Sequence, residues 1–322
     1  MKATLPRSQP APVRPVAAQV PTVRDPEINP INRFDHFSHK SAINPLNRRP
    51  CNLSARASAA AGANQLIAGF VTTGNAQKTL LVRGDGPSLA AFGVTGFLTD
   101  PQLTLMDGTT AIASATTWVT SLDAVFAQVG AFALTPGSHD AALLQTVAAG
   151  PYTAEITSQT THTGVALAEI YDADSLAPAS RLINLSARAS VGSGANVLIG
   201  GFVIAGTTPL VVVIRGDGPA LTGFGVTSAL PSTTLTLSDS NGTIATNSGW
   251  GNGPTAGPAA TNGIVVQALT DSISADVGAF ALSDGSADSG IVATLPPGAY
   301  TAEVSGANGA TGVALVEIYE LP

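Results

Sequence analysis

The sequence predicts an all-β protein: two tandem β-sandwich domains, Ig-like or jelly-roll-like, behind an extended N-terminal arm. Three observations carry that expectation. Charged residues make up only 11% of the chain and aromatic residues 5%, while glycine fills 34 positions. Together with abundant Ala, Thr, Ser and Val, this composition suits short strands joined by tight turns and not helical bundles. A long segment is written twice, and nine of the 22 prolines fall within residues 1–50. The expected organisation is an arm over 1–50, one sandwich over 51–175 and a second over 176–322.

The arm comes first. Its proline content rules out a helix or a central strand, so it is expected to be extended and solvated unless a partner holds it. It is more than a linker. Ile28-Asn29-Pro30-Ile31-Asn32-Arg33 returns fifteen positions later as Ile43-Asn44-Pro45-Leu46-Asn47-Arg48, with Phe34 and Phe37 between. Eight basic residues against three acidic ones give the arm +5, and six basic against eighteen acidic give residues 51–322 a charge of -12. A basic arm on an acidic body predicts attraction within or between subunits. Ile28, Ile31, Arg33, Phe34, Phe37, Ile43, Leu46 and Arg48 are the expected docking residues.

The repeat follows. Asn52-Leu53-Ser54-Ala55-Arg56-Ala57-Ser58 recurs identically 132 positions later as Asn184 to Ser190. The same offset links Arg83-Gly84-Asp85-Gly86-Pro87 to Arg215 through Pro219, and Trp118 to Trp250. Beyond the tryptophan the offset is 148, so Tyr152-Thr153-Ala154-Glu155 answers to Tyr300 through Glu303, and Thr163 through Leu167 to Thr311 through Leu315. The second copy thus carries sixteen extra residues, 251–266, whose Gly/Pro/Ala/Thr content predicts a surface loop.

Within each copy about eight strands are expected. Leu66–Thr72 and Thr79–Val82 are apolar and β-rich, with a turn at Gly74-Asn75. Leu103-Thr104-Leu105 runs into a hairpin turn at Asp107-Gly108, and Asp239-Ser240-Asn241-Gly242 is its longer counterpart. Leu122, Val125, Phe126 and Val129 alone show helical spacing and predict one short helical turn. Pro151–Ile156 and Val165–Tyr171 alternate apolar and polar residues and close the sandwich.

These motifs, from Asn-Leu-Ser-Ala-Arg-Ala through Leu-Ile-Gly-Gly-Phe-Val and Arg-Gly-Asp-Gly-Pro to Thr-Gly-Val-Ala-Leu-Val-Glu-Ile-Tyr, resemble a repeat module of large secreted proteins of Verrucomicrobia-type bacteria. The resemblance covers roughly 52–174 and 184–322 and implies an extracellular structural or accessory module without known catalytic residues. The closing Pro-Gly-Ala-Tyr-Thr is also distantly similar to bacterial pre-peptidase C-terminal sandwiches. The arm matches neither.

Scarce charges kept in both copies mark structural ion pairs that fix strand register within each domain: Arg56, Arg83, Arg188 and Arg215 with Glu155, Glu169, Glu303 and Glu317. The two Arg-Gly-Asp tripeptides match a cell-adhesion motif, yet three residues arise by chance, and Gly-Asp-Gly-Pro reads as a strand ending in a turn. Asp239-Ser240-Asn241-Gly242 supplies too few oxygens for calcium. Trp118 and Trp250 read as core or rim anchors ahead of sugar platforms. His36 and His39 beside Asp35 form at most a weak metal site on an exposed arm.

Cys51 is the only cysteine, so no intrachain disulfide or thiolate cluster can form; it aligns with Ile183 and reads as a small apolar side chain. No nucleophile elbow, zinc spacing or phosphate loop is present, so neither an enzyme nor a cofactor is expected. No apolar run reaches the ~18 residues of a membrane helix. Met1–Val20 lacks the apolar core of a signal peptide, which leaves a protein that stays inside or a mature form whose leader was removed; composition favours the second. The functional expectation is a subunit of an extracellular filament or surface layer that assembles with itself through the arm. The alternative is a secreted monomer that binds a cell-surface glycan, and nucleic acid is not an expected partner.

Overall fold

The computed structural model describes residues 50–174, 180–194 and 196–321. The arm and its docking residues Ile28, Ile31, Arg33, Phe34, Phe37, Ile43, Leu46 and Arg48 lie outside the described residues, as does the Cys51 side chain.

The described chain is all-β. The first repeat forms β1 (Pro50–Ala60), β2 (Leu66–Gly74), β3 (Lys78–Asp85), β4 (Pro101–Asp107), β5 (Thr110–Ala115), β6 (Ala141–Val147), β7 (Gly150–Ser158) and β8 (Thr163–Asp172). A short helix, α1 (Asp123–Val129), stands between β5 and β6 where the spacing predicts one. The second repeat forms β9 (Ser180–Val191), β10 (Leu198–Ile204), β11 (Leu210–Asp217), β12 (Thr233–Asp239) and β13 (Gly242–Asn247). It continues with β14 (Thr255–Ala256), β15 (Val265–Gln267), α2 (Asp271–Asp276), β16 (Ser289–Leu295), β17 (Gly298–Gly306) and β18 (Gly312–Glu320).

The strands form where side chains alternate between core and outside. On β4, Leu103 and Leu105 are buried while Gln102 and Thr104 are only partly covered. On β1, Leu53, Ala55, Ala57 and Ala59 enter the core, leaving Asn52, Ser54, Arg56 and Ser58 on the opposite face. Turns come from residues that tolerate left-handed backbone: Gly108 (φ 56°) closes the β4–β5 hairpin, and Asp239 accepts the Asn241 N–H at 2.7 Å in the β12–β13 turn.

The ladders are antiparallel and fall into two runs. One run is β6-β3-β8-β1-β10-β17-β12-β13-β14. The other is β15-β16-β11-β18-β9-β2-β7-β4-β5. A single bridge, Ser58 to Ser190, joins them through β1 and β9. The runs face each other over the core: a Cβ built on Gly84 of β3 would lie 2.6 Å from Ile156 of β7, and one on Gly216 of β11 would lie 3.0 Å from Val304 of β17.

Each run therefore passes through both repeats. β1 of the first repeat pairs with β10 of the second, and β9 of the second pairs with β2 of the first. The two most repeated motifs are each other's partners: Leu53-Ser54-Ala55 lies along Phe202-Gly201-Gly200, and Leu185-Ser186-Ala187 along Phe70-Gly69-Ala68. The glycines follow from that register. A Cβ on Gly201 would sit 2.4 Å from the Ser54 hydroxyl oxygen, and one on Gly69 would sit 2.5 Å from that of Ser186.

Most of the insertion lies at the surface outside any strand, as expected, but it is not loop throughout. Within 251–266 lie β14 and the start of β15, and each adds to a sheet edge: β14 to β13, β15 to β16. Its Gly and Pro residues keep both strands short and confine them to the edge.

Candidate functional site

Three places in the body are candidate sites, beginning with a buried ionic cluster in each repeat. Arg83 and Asp85 lie two apart on β3, so both project to the face away from the main core, whereas Gly84 projects inward against Ile156. Arg83 Nε and Nη2 donate to the two Asp85 oxygens at 3.2 and 2.9 Å, and Arg83 Nε stands 3.2 Å from Glu169 Oε2 on neighbouring β8. Arg83 Nη1 donates to the Phe132 carbonyl at 2.7 Å, and the guanidinium lies 4.2 Å from the Phe132 ring centre. Tyr171 donates to Glu169 at 2.6 Å. The cluster is covered by α1 and its flanks, with Trp118, Phe126, Val129 and Leu134 packed against Leu81 and Tyr171.

The second repeat repeats it. Arg215 Nε donates to Asp217 at 3.3 Å and stands 3.4 Å from Glu317 Oε2, Nη1 donates to the Phe280 carbonyl at 2.8 Å, and Tyr319 donates to Glu317 at 2.6 Å. Arg83, Asp85, Arg215 and Asp217 are all 0% exposed, so neither Arg-Gly-Asp tripeptide presents itself to a receptor.

Electrostatics agree with the geometry. Burial, then the neighbouring Glu169, pushes the Asp85 carboxyl well above its ordinary value against the pull of Arg83; Asp217 is raised in the same way beside Glu317. Two carboxylates thus share one guanidinium in each repeat. Burial by itself lowers the Arg83 guanidinium, but Asp85 and Glu169 outweigh it and hold the charge firmly.

Asp140 and Asp288 are buried structural carboxylates that the reading of charges missed. Asp140 is fully buried and accepts from the Gly86 and Ser88 amides at 2.7 and 3.2 Å and from the Ser88 and Ser138 hydroxyls at 2.5 Å each. Asp288 accepts from the Gly218 and Ala220 amides and the Ser286 hydroxyl. Each carboxylate pins the turn after Arg-Gly-Asp, where Gly86 is required because a Cβ there would meet the Leu98 carbonyl oxygen at 2.0 Å. The signal was present: an aspartate recurs at the 148 offset.

The second place is the junction between repeats. Arg56 and Glu303 both align with Ile199 from opposite sides of β10, and Arg188 and Glu155 both align with Ile67 from opposite sides of β2. Burial lowers the Arg56 and Arg188 guanidiniums, and Glu303 and Glu155 respectively work against that shift; burial raises Glu303, with Arg56 opposing. The expectation placed each arginine against a glutamate of its own repeat, but for Arg56 and Arg188 the facing glutamate belongs to the other repeat. The reason is the register of β1 on β10 and β9 on β2. A cleft of about 710 Å³ opens over this junction, lined by Asn52, Arg56, Thr236, Asp239, Asn241 and Glu303 among others.

The third place is the set of sheet edges. In the second repeat β14 and β15 cover β13 and β16, whereas β5 and β6, their first-repeat counterparts, gain no further strand among the described residues. Neither carries a charge: β5 reads Thr-Ala-Ile-Ala-Ser-Ala and β6 Ala-Ala-Leu-Leu-Gln-Thr-Val.

Trp118 and Trp250 are buried, their indole N–H groups donating to the Ser138 hydroxyl and the Ser283 carbonyl. Among the described residues, no group of three His, Cys, Asp or Glu side chains is placed to hold a metal ion, and no helix is long and apolar enough to cross a membrane. No protein-family model matches the chain, and no curated protein matches it either.

Proposed function

We propose that the chain is a structural subunit of an extracellular assembly, a filament or surface layer. In this reading the two repeats are tandem jelly-roll-like β-sandwiches serving as a rigid unit, and residues 1–50 are the strap between subunits. The observation that carries it is where the positive charge lies. Of the six basic residues of the body, Arg56, Lys78, Arg83, Arg188 and Arg215 are buried and Arg181 stands 3.4 Å from Glu320. The accessible surface of the body is thus acidic and neutral, while the arm holds eight basic residues, so arm and body are complementary. The ionisable groups kept in both repeats are occupied in holding strands and turns, which supports a structural role over a catalytic one. The motif resemblance to secreted repeat modules supports the extracellular assignment.

Electron microscopy and sedimentation of the full chain and of a chain lacking residues 1–49 test the proposal. The full chain should form polymers and the shortened one should remain folded but unassembled. High salt should weaken the assembly only in part, because screening removes the charge attraction and leaves the apolar contacts proposed for Ile28, Ile31, Phe34, Ile43 and Leu46. Equal polymerisation with and without the arm defeats the strap. The junction cleft favours a second reading, a monomer that binds a glycan through hydroxyl, amide and carboxylate groups. A 32.1 kDa species that binds oligosaccharide and loses binding on Asn52→Ala and Thr236→Ala would establish it.

A further inference from the structure

We infer that β5 and β6, the two edges of the first repeat that gain no further strand among the described residues, receive the two Ile-Asn-Pro-x-Asn-Arg segments of a second copy of this chain as added edge strands. The inference rests on the arm-built assembly proposed above and names where the arm docks.

The second repeat is the template. There β15 lies on β16 with Val265 opposite Thr294 and Gln267 opposite Val292. Their first-repeat counterparts on β6 are Thr146 and Leu144, at the 148 offset. Ladder direction alternates along a strand, and the Ala142 N–H donates away from β3 to the Thr117 carbonyl, so Leu144 and Thr146 also turn their backbone groups outward. On the other run Gly257 N–H donates to the Ile244 carbonyl and Thr255 lies opposite Thr246. That places the outward groups of β5 at Ile112 and Ser114, the counterparts at the 132 offset. The same two edges are therefore built to take a strand in both repeats, and only the second repeat carries the insertion that supplies one.

The arm suits these edges chemically. A strand added to an edge needs N–H groups only at alternate residues. If Asn29 and Ile31 bond to the host, Pro30 faces the open side, where its missing N–H costs nothing; Asn44, Pro45 and Leu46 repeat the arrangement. A proline on the new outer edge also stops further strands from adding, which limits assembly to one arm per edge. Arg33 and Arg48 then approach a body whose own basic side chains are buried or paired, with exposed Asp107 in the hairpin beside β5.

For the segment nearer the body, geometry selects a second copy at the β6 edge. Arg48 is two residues from Pro50, a reach of about 7 Å, and Pro50 already pairs with Ile204 on β10. In the same run β8 and β3 stand between β1 and β6, so a strand beyond β6 lies about 19 Å from β1 at the usual strand spacing. β5 ends the opposite run, three strands beyond β2. Leu46, the nearer bonding residue, is four residues from Pro50 and reaches about 14 Å, so the segment 43–48 falls short of the β6 edge of its own body.

The test uses the full chain. Hydrogen exchange of Thr110–Ala115 and Ala141–Val147 should slow sharply on passing from dilute monomer to assembled protein, while that of β13 and β16 stays unchanged. Ser114→Pro with Leu144→Pro removes outward N–H groups at exposed positions without touching a ladder bond inside the body; assembly should be lost and the melting temperature held within a few degrees. Ile31→Pro with Leu46→Pro, which changes only the arm, should lose assembly equally. Edge amides that stay unprotected in the assembled protein overturn the inference, as does protection already complete in the monomer. If assembly needs the arm yet survives both proline pairs, the strap stands and the edge assignment falls. If assembly never needs the arm, both fall together.

Discussion

Asp85 sits at 0% exposure between a guanidinium and a second carboxylate, and its ionisation is coupled to folding. Burial and Glu169 raise its folded-state value above the ordinary 3.8, against Arg83. A raised carboxyl binds its proton more tightly folded than unfolded, so its stabilising contribution is full below about pH 3.8 and is lost as pH rises through the folded value. Asp217 follows the same sign. Asp85→Asn with Asp217→Asn, which mimics the protonated state, should therefore lose less stability than the wild type as pH rises above the ordinary carboxylate value of 3.8. Urea denaturation across that range checks this, and equal slopes for the two proteins would refute it. Arg83 and Arg215 were visible in the sequence as scarce, repeated charges, and each lies against a repeated glutamate. Their aspartates were quoted only within a tripeptide, because sequence does not say that i and i+2 on this strand face a covered surface.

Strand β1 shows how an element acquires its partners. Its own alternation fixed which side chains enter the core, and that much was legible from Leu53, Ala55 and Ala57. That its far edge would pair with β10 was not, since a repeat read alone offers a partner only in its own copy. The consequence is that Arg56 faces Glu303 across β10 and feels its charge, with Arg188 and Glu155 as the counterpart across β2. A double-mutant cycle of Arg56→Ala and Glu303→Ala should return a coupling of about 0.5–3 kcal/mol. Additive losses, measured by chemical denaturation, would mean that the register alone holds the junction. The insertion teaches a similar lesson. Its Gly/Pro composition signalled the surface, but Thr255-Ala256 and Val265-Val266-Gln267 are too short to read as strands without the edges they cover.

At the scale of the whole molecule, the reciprocal pairing makes the repeats one body. Both runs cross from repeat to repeat, and one core cluster contains Leu53 and Ala68 together with Leu185, Phe202 and Val316. Separating the repeats would open the β1–β10 and β2–β9 ladders at once. Unfolding should accordingly appear as a single calorimetric transition whose calorimetric and van't Hoff enthalpies agree. Two resolved transitions, one per repeat, would show that each sandwich closes on itself and that the shared ladders contribute little.

Sequence by itself determined the all-β class, the twofold internal repeat, the short helix at Asp123–Val129 and the charge contrast between arm and body. Those depend on local alternation, turn residues and self-similarity, all of which are written along the chain. Tertiary structure alone decided that the repeated motifs are mutual partners, that Arg56 and Arg188 answer to the opposite repeat, and that the insertion covers the edges of one repeat and leaves β5 and β6 of the other without an added strand among the described residues. Pairing between strands more than a hundred residues apart is set by which edges each repeat leaves unpaired within itself, and no local pattern encodes that choice.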